Sequence, residues 1–457
     1  NAPERDVMTE QFDLVLRASS THVDGAQPGP AALGIRDGRI AAIGPIDANF
    51  TAPIDETLDP GTALIPGIVD THVHVNEPGR TDWEGFASAT AAAAVGGVTT
   101  IIDMPLNSIP PTTTLDALAL KQAAAAPQAA VDVGFWGGAI PSSLGHLEAL
   151  HTAGVFGFKC FLSPSGVDEF PHLSTKQLQQ ALTELADFGG LLIVHAEDPA
   201  ELHDEIVDGA RYGAFVASRP DASETSAIET VIAALRAAPG ARAHILHLSS
   251  AEALPAIRAA KADGLPLTVE TCPHYLVFDA EGIPDGGTTF KCCPPIRSEA
   301  NRDLLWAALA DGTIDLVASD HSPATAALKL AGNGDFGVAW GGISGLQLAF
   351  TAVWSEARRR GHDLDDVLGW MSRATAAFVG LTDRGGIRVG ARADLVAFAA
   401  DRAWTVDAAG LRHKNPVSAY DGVTLTGVAE ATWVGGRLAQ RGGMLSEPLV
   451  GRLVTRH

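Results

Sequence analysis

The chain has 457 residues, 46% of them hydrophobic and 19% charged, which is enough apolar material to bury a large core over two or three domains. Its formal net charge of −22 argues against nucleic acid or an anionic membrane as partner, since both need a basic surface. No apolar stretch is long enough to span a bilayer. Residues 1–6 have neither the basic flank nor the apolar core of a secretory signal. The cysteines Cys160, Cys272, Cys292 and Cys293 have no zinc-finger or disulfide-framework spacing, so reduced thiols and a cytoplasmic location are expected.

The chain opens with short strands at 12–16, 32–35 and 40–43, the last two joined by a turn at Arg36-Asp37-Gly38-Arg39. Eight strands are then expected, at 68–74, 99–104, 131–136, 155–162, 191–195, 243–248, 267–271 and 316–319. Ala-rich helical segments lie between several of them, including 82–94, 175–187 and 224–237. The first should start on a capping box, Thr81 with Glu84, and stop at Gly96-Gly97. Strands at 393–398 and 432–438 close the chain. Eight βα units predict an α/β protein, a (β/α)8 TIM-like barrel over 66–380. A Rossmann sheet is disfavoured because no G-x-G-x-x-G follows an early strand. The terminal pieces, 1–65 and 381–457, have too few strands to stand alone. They are expected to assemble into one small β-sandwich domain.

Chemistry in such a barrel belongs at the C-terminal strand ends. Those ends carry His72 and His74, Lys159, His195, His247 and Asp320. His72 and His74 alternate with Val73 and Val75, so both imidazoles face one way. Lys159 sits in an otherwise apolar strand, where an ammonium is costly unless paired or chemically changed. A lysine of depressed pKa can react with carbon dioxide, and the resulting carbamate can bridge two metals. Four imidazoles, a carbamate on Lys159 and a carboxylate suit two divalent ions, most simply zinc, with cobalt or manganese as alternatives. Any one of these residues alone reads as a core histidine, a snorkelling lysine or a helix cap; it is their joint occurrence that defines the site. His146, His151, His172 and His203 read as structural. His244 is expected outside the barrel, His274 is ambiguous between packing and supporting the site, and His321 is expected to orient loops.

The whole pattern resembles the cyclic amidohydrolases, the group of dihydroorotase, dihydropyrimidinase or hydantoinase, and allantoinase. That resemblance implies that His72, His74, Lys159 and Asp320 hold one metal, and that Lys159, His195 and His247 hold the other. Residues 385–396 resemble the return into the terminal β-domain. Within the group the motifs lie nearest the allantoinases: 76–86, Asp103-Met104-Pro105-Leu106-Asn107-Ser108, 291–297, Ser319-Asp320-His321-Ser322-Pro323 and 340–345. Dihydroorotases usually carry Arg where this chain has Asn76, and dihydropyrimidinase-like enzymes place a Tyr where it has Leu162-Ser163-Pro164-Ser165. The implied activity is opening of a small cyclic ureide, allantoin to allantoate, by hydroxide generated between two metals, with Asp320 moving the proton. Hydantoinase or dihydropyrimidinase activity is the alternative, and dihydroorotase follows. A metal-free scaffold would have lost ligands that are all present here. Asn76, Asn107, Cys292, Ser322 and Gly341 are the candidate substrate contacts, and a homotetramer is implied.

Overall fold

The computed structural model describes residues 10–203, 206 and 208–456; residues 1–6, read above for a targeting signal, lie outside them. Eight parallel strands form the barrel: Ile68–Val73, Val98–Asp103, Asp132–Phe135, Phe158–Phe161, Leu191–His195, Arg242–Ile245, Leu267–Thr271 and Leu316–Val317. The third strand reaches the fourth through Gly137–Gly138, which pairs Gly137 with Phe158. Closure comes from a parallel bridge between Val73 and His321, with His74 N donating to His321 O at 2.8 Å. Every residue of the first, second, third, fourth and fifth strands is buried. Burial on both faces explains why these segments read as near-continuous apolar runs.

Outer helices follow the sequence pattern closely. Thr175–Asp187 carries a capping box between Ser174 and Gln177, and Asp221–Arg236 covers the next interval. The first helix differs from expectation. It spans Phe86–Val95, with Gly85 at the N-cap position and no side-chain cap. Glu84 is drawn away to His321, whose Nε2 donates to it at 2.9 Å, while Glu77 accepts from Phe86 N at 2.8 Å. A buried imidazole thus outcompetes the local capping geometry for that carboxylate.

Both termini build one nine-stranded sheet. Leu14–Thr21, Gly29–Arg36 and Arg39–Gly44 come from the N-terminal side, and Leu395–Thr405, Thr424–Val434 and Arg437–Arg441 from the C-terminal side. Ala63–Pro66 joins the halves, running parallel to Leu14–Thr21 and antiparallel to Leu395–Thr405. The expected turn is present, with Asp37 at φ 52° and Gly38 at φ 74°. Only Gly67 separates Ala63–Pro66 from the first barrel strand, and a Cβ there would overlap the Thr99 side chain. Leu14, Leu16, Leu33, Ile35, Leu395 and Trp433 pack in a core of their own, separate from the barrel's. Among the described residues no helix is long and apolar enough to cross a membrane.

Candidate metal centre and active site

The first barrel strand carries His72, and His74 follows one residue past its end; both are buried, with rings 5.5 Å apart. Asp320 follows the eighth strand and brings Oδ1 to 3.0 Å from His72 Nε2 and 3.5 Å from His74 Nε2. These three offer ligand atoms within 4.8 Å of one another. Lys159, the second residue of the fourth strand, is buried with Nζ 3.4 Å from His72 Nε2. His195 ends the fifth strand, and its ring lies 4.6 Å from that of His247, which lies 5.5 Å from that of His72. One end of the barrel therefore gathers all six residues singled out in the sequence.

Two of them leave regular strand backbone, His247 at φ 37° and Asp320 at φ 44°. Non-glycine residues are strained there, and such strain gathers at functional sites. The break also corrects the reading of His244. Alternation counted back from His247 puts it outside, but its strand ends at Ile245. His244 is buried inside, with Nε2 3.1 Å from Glu270 Oε2 and Nδ1 2.8 Å from Thr268 Oγ1.

Two carboxylates not recognised in the sequence fix the histidines. Glu270 accepts from His72 Nδ1 at 2.5 Å and from His247 N at 3.2 Å. Glu197 lies 2.7 Å from His195 Nε2 and is gripped by Arg219 Nε and Nη2 at 2.9 and 2.6 Å. These bonds leave His72 Nε2 and His195 Nδ1 as the nitrogens available to a metal. The only signals for them in the sequence are a carboxylate inside a strand for Glu270 and an acid two residues after His195 for Glu197. His321, as expected, orients loops, accepting from Gly345 N and Leu346 N at 3.1 and 3.3 Å.

Burial would lower His72, but Asp320 and Glu270 raise it to about 9. Burial and the Lys159 charge pull His74 down to about 3. Lys159 falls to about 8 through burial, opposed by Asp320 and Glu270. Asp320, despite burial, is held well below the usual carboxylate range by His72 and His74. Nδ1 of His74 and Nδ1 of His247 are buried without a hydrogen-bond partner. With imidazole nitrogens and a carboxylate oxygen this close, the donor set fits a divalent ion.

The cluster opens into a cavity of about 410 Å³ lined by His74, His195, His247 and Asp320. Asn107, Cys292, Ser322 and Gly341 line it too. Asn76 does not. It turns at φ 66° and is buried, with Nδ2 donating to Pro323 O at 3.3 Å. The strand has ended by Val73, so alternation no longer carries Asn76 inward. Arg219 and Lys291, not singled out in the sequence, also line the cavity. A larger cleft of about 660 Å³ runs along Thr175–Asp187 on the outside, remote from these ligands.

A closed parallel barrel with a ligand cluster at its C-terminal rim and a sheet from both termini defines a metal-dependent hydrolase architecture. Residues 63–439 match the amidohydrolase family, and the chain belongs to that family. It is 54% identical to an allantoinase of Streptomyces avermitilis over 97% of this chain and 99% of that protein. To the Saccharomyces cerevisiae allantoinase it is 46% identical, over 84% of each chain. Among solved structures, the L-hydantoinase (dihydropyrimidinase) of Arthrobacter aurescens superposes with a TM-score of 0.92 at 30% identity, covering 97% of this chain and 100% of that one.

Proposed function

We propose that this protein is a metal-dependent cyclic amide hydrolase that opens allantoin to allantoate. Convergence of the six rim residues supports the chemistry, and near-full-length likeness to allantoinases carries the choice of substrate. His72, His74, Asp320 and Lys159 would hold one ion, and Lys159, His195 and His247 the second. Two divalent ions, zinc first and cobalt or manganese as alternatives, would polarise the scissile carbonyl and acidify water near neutral pH. Lys159, as a carbamate, would serve both ions. Its amine, lowered to about 8, is largely uncharged in mildly alkaline solution and so open to carbon dioxide.

Asp320 takes a proton on the water side and returns it to the departing ring nitrogen. Glu270 and Glu197 keep His72 and His195 in one tautomer throughout. Asn107, Ser322 and the backbone at Cys292 and Gly341 orient the ring and ureido group from the cavity wall. A cytoplasmic homotetramer completes the reading, and light scattering of the purified protein tests the assembly.

The deciding experiment is a substrate panel (allantoin, hydantoin, dihydrouracil and dihydroorotate) on enzyme reconstituted with zinc, cobalt or manganese. Allantoin should give the highest kcat/KM. A higher value for hydantoin or dihydrouracil would move the assignment to the hydantoinase or dihydropyrimidinase reaction.

A further inference from the structure

Lys329 is a buried lysine with no carboxylate partner among the described residues, and burial lowers its amine to about 7. It ends the short helix Ala326–Lys329, and its Nζ donates to Lys291 O at 2.7 Å, Trp340 O at 3.1 Å and Gly342 O at 2.5 Å. Protonated, the amine has three donors, one for each of these main-chain carbonyls. Those carbonyls belong to two different loops, and both loops line the cavity through Lys291, Cys292, Cys293, Trp340, Gly341 and Gly342. The loops also meet directly, with Gly342 N donating to Lys291 O at 2.8 Å and Lys291 Nζ to Ala339 O at 2.6 Å.

Lys329 itself is not part of the cavity lining, so it holds these carbonyls from behind the wall. In a trans peptide the N–H points opposite to the C=O of the same unit. The peptide carbonyls of Lys291 and Trp340 share their units with the N–H groups of Cys292 and Gly341. Neither N–H has a hydrogen-bond partner among the described residues. Cys292 is buried and Gly341 half-buried, and donors without partners in a cavity wall are open to a ligand.

We propose that Lys329 is a positioning residue for substrate recognition. By holding the Lys291 and Trp340 carbonyls behind the wall, it aims the Cys292 and Gly341 N–H groups at acceptor oxygens of the cyclic amide. This inference rests on the cyclic-amide reading but not on the choice of allantoin. The lysine touches neither the reacting atoms nor the metal ligands, so its loss acts on binding.

The test compares wild type with Lys329→Met, which keeps most of the apolar stem and removes the amine that bonds the three carbonyls. Loss of alignment for two hydrogen bonds of about 1 kcal/mol each should raise KM roughly tenfold or more. The kcat should stay within about threefold, and metal content should be unchanged, a split expected when only uniform binding is lost. An unchanged KM, or a fall in kcat with loss of metal, would overturn the proposal. Should Lys329→Met fail to fold, Lys329→Arg carries the test. No single guanidinium nitrogen carries three hydrogens, so the longer arginine cannot bond all three carbonyls from the Nζ position without moving the loops; KM should rise there too, and an unchanged value overturns the proposal. If wild type turns over hydantoin and not allantoin, the allantoin reading fails by itself. The KM comparison is then made with hydantoin, and Lys329 is judged on that result.

Discussion

Lys159 concentrates the chemistry of the site in one side chain. Its Nζ lies 3.4 Å from one imidazole nitrogen and 5.1 Å from the centre of the Phe161 ring, in a place where burial opposes a charge. Carbamate formation needs the uncharged amine. Activation of metal-free protein by bicarbonate and zinc should therefore accelerate as pH rises through about 8, at constant dissolved carbon dioxide. Activation that does not change with pH would count against the carbamate. Lys159→Ala should lose bound metal in elemental analysis and nearly all activity, with partial rescue by a small carboxylic acid plus zinc. Asp320 is the second residue on which the chemistry turns. Asp320→Asn should lower kcat by about a thousandfold or more, near 4 kcal/mol of transition-state stabilisation, with circular dichroism unchanged. Near-wild-type kcat at saturating metal would remove Asp320 from proton transfer. Lys159 was legible in the sequence because its charge contradicts its apolar strand, and Asp320 because it follows the last barrel strand. Lys329 was not, since its partners are backbone carbonyls that no side-chain pattern announces.

At the scale of the element, strand periodicity and strand ends found the six rim residues but misplaced some of their neighbours. Period-2 alternation holds for His72 and His74, where the backbone is regular or nearly so. It fails past the strand ends, where Asn76, His247 and Asp320 take φ values of 66°, 37° and 44°. That is why His244 was assigned to the wrong side, and why Asn76, a candidate substrate contact, lies off the cavity wall. The supporting carboxylates were missed for two reasons: Glu270 meets His72 across the closed barrel, where one strand read alone cannot show its neighbour, and Glu197 lies two residues past His195, beyond the strand end, where alternation no longer says which way it points. Glu197 carries a further consequence. Burial opposes its charge, but Arg219 and His195 hold it at about 2, below its ordinary 4.5. A depressed carboxyl stabilises the fold fully above 4.5, and that stability is lost as pH falls through about 2. Thermal melts of metal-depleted protein should therefore drop over this acid window. Glu197→Gln should flatten the drop, and parallel curves for the two proteins would deny Glu197 the role.

Over the whole molecule, the terminal sheet and the barrel are joined by buried charge as well as by chain continuity. Asp132, at the start of the third barrel strand, meets Arg384 and Arg392 at 3.0 Å each, and Arg392 Nε reaches Asp394 at 2.9 Å. Asp132→Ala would leave two guanidinium groups partly unpartnered, costing about 3–5 kcal/mol; a lowered Tm with wild-type kcat at permissive temperature checks this. The assembly of the sheet from both ends was legible from strand counting alone, whereas this clamp was not, because its members lie far apart in sequence. The same wide convergence shapes substrate choice. Of the two cations on the cavity wall, Arg219 is paired with Glu197, and Lys291 gives one donor to Ala339 O at 2.6 Å. A substrate carboxylate would thus have to draw Lys291 from that contact or be buried without a cationic partner, and burial that way costs more than about 1 kcal/mol. Allantoin has no carboxylate and escapes that penalty. Its kcat/KM should exceed that for dihydroorotate by at least about tenfold, a gap near 1.4 kcal/mol in transition-state binding. Side-by-side kinetics at low substrate measure this directly. Faster turnover of dihydroorotate would show that Arg219 or Lys291 leaves its present partner to meet the carboxylate, and the argument from engaged cations would fall.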